Sequence, residues 1–224
     1  MFDNVKGKLI VSCQALEDEP LHSPFIMSKM ALAAKEGGAA GIRANGAEDI
    51  RAIKAETGLP VIGIVKRDYE GSEVYITPTK KEIDELLGVK PDMIALDATG
   101  RVRPNGEQLS GLIGYVHEKG LPVMADISTY EEGLHAAELG ADCLSTTLSG
   151  YTPYSPKQEG PDFELLRKLS ETLTIPVFAE GRINTPMDAQ KAFGLGAFAV
   201  VVGSAITRPQ LITRKFVDAI MVQK

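Results

Sequence analysis

The stretch PVFAEGRINTP, residues 176–186, decides how the chain is read. Val177, Phe178 and Ala179 form an apolar run suited to a buried strand, yet the run stops on Glu180, with Gly181 and Arg182 immediately behind it. Thr185 then stands where a helix N-cap belongs, and Pro186 where the first helical residue does. A strand that ends on charge and passes at once into a capped helix is a single β/α unit.

The same unit recurs along the chain. Two further runs open with Leu-Pro, LPVIGIVK (59–66) and LPVMADIS (121–128), alongside IPVFAEGR (175–182). Three follow a Gly-Ala step: GAAGIRAN (38–45), GADCLSTT (140–147) and GAFAVVVG (196–203). KLIVSCQ (8–14) and PDMIALDAT (91–99) complete a set of eight short, nearly continuous apolar runs, the pattern of parallel strands covered on both faces. Segments of helical spacing lie between them, among them SKMALAAKEGG after Ser23-Pro24 and TYEEGLHAAELGA behind a Ser128-Thr129 cap. Several end in glycine, which accepts the left-handed conformation of a helix C-cap. Alternation without a linker predicts one α/β domain over residues 1–224, a (β/α)₈ TIM barrel, with an open doubly wound sheet as the rival topology.

Composition narrows the function. With 44% hydrophobic and 24% charged residues the chain reads as an ordinary globular protein. No apolar stretch approaches the roughly 18 residues needed to span a bilayer, and the N-terminus lacks a signal pattern, so a cytoplasmic location with no membrane partner is expected. Cys13 and Cys143 sit in apolar runs without CxxC spacing and read as core residues, not as a metal site or disulfide. A net charge of −6 without basic blocks argues against nucleic acid. A phosphorylated small molecule would instead need local cations.

In barrels of this type the chemistry sits at the C-terminal ends of the strands. The residues there are Gln14, Arg43 with Asn45, Lys66, Asp97, Asp126, Ser145 to Thr147, Glu180 and Gly203-Ser204. Any one of them has a plain reading as a loop start or helix cap, and Asp97 is placed to make an Asx-turn before Thr99-Gly100. Lys66 and Glu180 stand apart because each follows a run that cannot easily hold a lone charge. Lys66 reads three ways: as an ion-pair partner, as a Schiff-base amine or as a base acting on carbon. The last two require a neutral amine, which desolvation and Arg43 favour and Glu180 opposes.

The two final strand ends add an anion site. EGRINTP and VVGSAITRP place glycines and a short helix start on adjacent loops after the seventh and eighth strands, flanked by Arg182 and Arg208. Backbone N–H groups in such loops bind phosphate in barrel enzymes, and glycine lets the anion approach closely.

Taken together, IVSCQALEDEPLHSP, GIRANGAEDI, GIVKRDY, IALDATGRVRP, MADIST, STTLSGYT, FAEGRINTP and VVGSAITRP resemble the N-acetylmannosamine-6-phosphate 2-epimerase family from about residue 5 to the C-terminus. The resemblance implies a bacterial isomerase of sialic-acid and amino-sugar catabolism. Such an enzyme interconverts N-acetylmannosamine 6-phosphate and N-acetylglucosamine 6-phosphate at C2, with no metal or other cofactor, as a homodimer. It implies Lys66 as the group that takes and returns the C2 proton, Glu180 as its proton-exchange partner, and Arg43 and Gln14 as donors to the developing enolate. Asp126 either accepts a sugar hydroxyl or orients Arg43 or Lys66. Thr147 and Tyr151 line the mouth, and Arg208 with the backbone of Gly181, Arg182, Gly203 and Ser204 clamps the 6-phosphate. Whether one base serves both faces of C2 or two work in relay stays open. The alternatives are a Schiff-base aldolase and another phosphate-binding barrel enzyme.

Overall fold

The structure, a computed structural model, describes residues 1–221, so the expected domain span of 1–224 runs three residues past the described ones. Eight strands alternate with helices in chain order: β1 (Leu9–Cys13), β2 (Gly41–Asn45), β3 (Val61–Ile64), β4 (Met93–Asp97), β5 (Val123–Asp126), β6 (Cys143–Ser145), β7 (Val177–Glu180) and β8 (Ala199–Val202). Every neighbouring pair is parallel, and β8 pairs back onto β1 through Val201↔Ile10. That last pairing closes the barrel and removes the open-sheet alternative.

Each of the eight strands falls inside one of the eight apolar runs, because a parallel strand must be apolar on both faces. The two faces feed separate cores. Val11, Ile42, Val61, Ile94, Val123 and Leu144 join the layer beneath the helices, whereas Ile10, Ile62, Met93, Met124, Phe178 and Val201 fill the barrel interior. A short helix, α1 (Phe2–Val5), contributes Val5 to that interior cluster and plugs its N-terminal end.

The outer helices are α2 (Pro24–Glu36), α3 (Ala47–Thr57), α4 (Lys80–Leu87), α5 (Leu109–Glu118), α6 (Tyr130–Glu138), α7 (Phe163–Thr172) and α8 (Pro186–Gly194), followed by α9 (Ser204–Thr207) and α10 (Pro209–Met221). Thr129 and Thr185 cap α6 and α8 in reciprocal capping boxes with Glu132 and Asp188. Helical spacing alone does not mark α4 and α7, although Thr79 with Glu82 makes a third such box and Asp162 caps α7.

Candidate active site

Side chains alternate along a strand with a period of two, so the interior face can be followed outward to the mouth. On β1 the interior residue Ile10 is succeeded by Ser12 and Gln14, on β4 Met93 and Ala95 by Asp97, on β5 Met124 by Asp126, and on β7 Phe178 by Glu180. Each strand is thus apolar at the bottom of the barrel and polar at its C-terminal end. On β2 the interior position is Arg43 itself, among the largest side chains in the protein to be fully buried.

Arg43 crosses the barrel and forms the floor of the site. Its Nη1 donates to Asp126 Oδ1 and to Glu180 Oε2, both at 2.9 Å, and Nη2 donates to Asp126 Oδ2 at 2.5 Å. The guanidinium is 1% exposed, Asp126 0% and Glu180 11%. Burial opposes the charge on Arg43, but the two carboxylates outweigh it and hold the group firmly protonated. Ser145 donates to Glu180 Oε2 at 3.2 Å, and the single hydroxyl proton of Thr147 is placed between Glu180 Oε2 at 3.1 Å and Asp126 Oδ1 at 2.8 Å, so the two carboxylates are tied together through Thr147 as well as through Arg43. Among the described residues, Oε1 accepts no hydrogen bond, and Arg43 Nε has no partner. Burial raises the Glu180 pKa above the usual carboxylate range, opposed by Arg43.

Lys66 lies just beyond β3. Its backbone is locked in two ways: the N–H donates to Asn45 Oδ1 at 2.7 Å, and the residue bridges Ile76 in a short antiparallel ribbon formed by the β3–α4 loop. Asn45 therefore serves as an anchor for Lys66 and does not itself line the cavity. Among the described residues no carboxylate lies within ion-pairing distance of the Lys66 amine, whose pKa is pushed down from 10.5 to about 8. Burial is the main cause, followed by repulsion from Arg43 and Arg208, with Glu180 and Asp126 opposing.

A cavity of about 280 Å³ opens above this floor, near the lower end of the roughly 300–1,000 Å³ common for ligand pockets. Lys66, Glu180, Arg43, Gln14, Thr147 and Tyr151 line it, as do the loops after β7 and β8 through Gly181, Arg182, Gly203, Ser204 and Arg208. Asp126 does not; it lies beneath Arg43 with both oxygens engaged. Of its two expected roles the geometry favours orienting Arg43. Asp97 is also off the cavity, its Oδ1 accepting from Thr99 N in the Asx-turn arrangement and its Oδ2 from Arg101. Ser12 and Tyr75 line the cavity without having been singled out. Ser12 had a signal, since it shares the face of Gln14 two residues on. Tyr75 had none, because it stands on a long loop without periodicity.

The side chain of Arg182 turns away from the loops after β7 and β8 toward the β6–α7 loop. Its Nε donates to Gly160 O at 2.8 Å and its guanidinium stacks 5.3 Å from the Tyr151 ring, fastening the β6–α7 loop. It occupies the space where Gly150 lacks a side chain. Its backbone N–H, with those of Gly181, Gly203 and Ser204, meets no carbonyl acceptor among the described residues. Among the same residues, no group of three His, Cys, Asp or Glu side chains is placed to hold a metal ion.

A family described as "Putative N-acetylmannosamine-6-phosphate epimerase" matches residues 27–222. A relative from Clostridioides difficile, described as the corresponding 2-epimerase, is 67% identical over 99% of this chain and 100% of its own length. The solved N-acetylmannosamine-6-phosphate 2-epimerase from Clostridium perfringens superposes with a TM-score of 0.97 at 62% identity, covering 98% of this chain and 96% of that one. Thiamine phosphate pyrophosphorylase from Pyrococcus furiosus, at 23% identity and a TM-score of 0.61, shares the fold alone. The chain belongs to the N-acetylmannosamine-6-phosphate 2-epimerase family.

Proposed function

We propose that this chain is an isomerase that interconverts N-acetylmannosamine 6-phosphate and N-acetylglucosamine 6-phosphate by moving a proton at C2. Family membership supports the substrate. One observation carries the mechanism: among the described residues the Lys66 amine and Glu180 Oε1 have no partners, and both residues line the same cavity, from the ends of β3 and β7, strands four apart and hence opposite in a ring of eight.

The pyranose opens first, because only a free aldehyde at C1 acidifies the C2 hydrogen. Neutral Lys66 takes that proton from one face, and the electron pair moves into an enolate stabilised by the positive charge of Arg43 at the cavity floor. Glu180, protonated at Oε1, returns a proton to the opposite face. The cycle ends with Lys66 charged and Glu180 ionised, which is the starting state for the reverse reaction. A positioned acid or base supplies roughly 10²–10⁴-fold, so fixed donors at the enolate and an anchored phosphate must supply the rest. Arg208 and the N–H groups of Gly181, Arg182, Gly203 and Ser204 provide that anchor. Thr147 holds Glu180, while Tyr151 and Gln14 close the walls around the sugar.

The same reading makes the protein a cytoplasmic homodimer. No helix among the described residues is long and apolar enough to cross a membrane, and both thiols are free and buried. α10 buries none of its residues and leaves Phe216, Val217, Ile220 and Met221 exposed, a face suited to a second copy. Proton NMR of N-acetylmannosamine 6-phosphate with the enzyme tests the function directly: the gluco epimer should accumulate to equilibrium. Inactivation by borohydride in the presence of substrate would instead mark a Schiff-base aldolase.

A further inference from the structure

Arg208 stands between α9 and α10 and lines the cavity. Its Nε and Nη2 donate to Oε1 and Oε2 of Glu19 at 2.6 and 2.8 Å, and Nη1 donates to Ser204 Oγ at 3.0 Å. Glu19 belongs to the β1–α2 loop and is not part of the cavity wall. Its carboxylate is saturated, since Oε1 also accepts from Gln210 Nε2 and Oε2 from Leu16 N, each at 3.0 Å. Arg208 and Gln210 from the α9–α10 junction and Leu16 from the loop of Glu19 itself thus converge on one carboxyl group. Hydrogen bonding to Arg208 holds its pKa below the ordinary range, so it stays ionised.

A guanidinium has two edges that can grip an anion with paired hydrogen bonds, one made by Nε with Nη2 and the other by Nη1 with Nη2. Glu19 takes the first from outside the cavity. Of the five N–H bonds, three are engaged by Glu19 and Ser204, and two are left over, one on Nη2 at the second edge and one on Nη1. We infer that Glu19 is a positioning residue: it grips Arg208 from behind and presents the free edge to the substrate phosphate. This rests on the phosphate-binding reading of Arg208 given above. The benefit is preorganisation, because a long, freely rotating arginine otherwise loses its rotamer freedom only when the anion arrives. A second carboxylate placed to compete with phosphate would lie in the cavity, and this one does not.

Steady-state kinetics of Glu19→Ala and Glu19→Gln test the assignment, with inorganic phosphate as a competitive inhibitor and circular dichroism to verify folding. Glu19→Ala should raise both the KM for the phosphorylated sugar and the Ki of inorganic phosphate by roughly tenfold, with kcat held within about threefold. Glu19→Gln keeps the length and one acceptor oxygen and should fall between, which also serves if the alanine variant does not fold. A purely structural role would not make KM and the phosphate Ki move together while sparing kcat. Unchanged values would overturn the inference, and so would tighter phosphate binding, which would make Glu19 a competitor. Arg208→Ala separates the two levels: an unchanged phosphate Ki there sinks the phosphate reading itself. A raised Ki there with silent Glu19 variants sinks only the role of Glu19.

Discussion

Lys66 and Glu180 line one cavity and form no ion pair; Glu180 binds Arg43 at 2.9 Å instead. The separation keeps both groups chemically useful. A direct pair would lock the amine charged and the carboxyl ionised, and the neutral amine and protonated carboxyl that begin the proposed forward transfer would be lost. Arg43 absorbs one oxygen of Glu180 and at the same time repels the charge on Lys66.

The pH dependence follows from that electrostatic arrangement. With Lys66 as the proposed base, kcat/KM should rise with pH through an apparent value near 8 for the epimer whose C2 hydrogen faces Lys66, and fall through it for the other epimer, where charged Lys66 is the proton donor. A rate profile flat between pH 6 and pH 10 would exclude a titrating Lys66.

Lys66 should also weigh on stability. Its folded pKa lies below its unfolded one, so the protonated form is disfavoured by folding at neutral pH, and the penalty disappears as pH rises from about 8 through 10.5. Lys66→Met should therefore stabilise the protein at pH 7 by ~1–3 kcal/mol while removing activity. Denaturant unfolding at pH 7 and pH 10.5 checks this, with a gain at the lower pH that vanishes at the higher.

The buried network beneath the cavity makes the opposite prediction. Arg43→Met strands Asp126 and Glu180 without a counter-charge and should cost about 3–5 kcal/mol in chemical denaturation. Asp126→Asn leaves the cavity wall intact and should lower kcat while changing KM little, because Asp126 acts through Arg43. Equal losses in both kinetic constants would place Asp126 against the sugar.

Much of this was legible in the sequence, for a physical reason. Parallel strands are apolar on both faces and stop abruptly where the chain meets solvent, so their ends can be read as addresses, as at Glu180 and Lys66. Pairings between distant residues left no such trace. Nothing in the chain couples Glu19 to Arg208 or directs Arg182 toward Gly160, because those contacts depend on where loops fall after the barrel closes. Arg182 illustrates the limit: its place beside two glycine-bearing loops marks its backbone as a candidate anion contact, and nothing in the sequence shows that its side chain turns to fasten a neighbouring loop.

Gly150 is where that fastening is most exposed to test. Its φ is +81°, and an added Cβ would overlap the Arg182 guanidinium. Gly150→Ala should expel Arg182 from its seat, cost ~1–3 kcal/mol and raise KM through the displaced Tyr151. Kinetics matching the parent protein would show that the Arg182 contact is dispensable.

The proposed exchange of two protons across the cavity is tested most directly by proton NMR of N-acetylmannosamine 6-phosphate in deuterium oxide, comparing the parent protein with Lys66→Ala and Glu180→Gln. Transfer between opposed groups predicts deuterium at C2 of the product from the first turnover, and loss of epimerisation in both variants. Product that keeps its original hydrogen, or a Lys66→Ala protein that still epimerises, would contradict it.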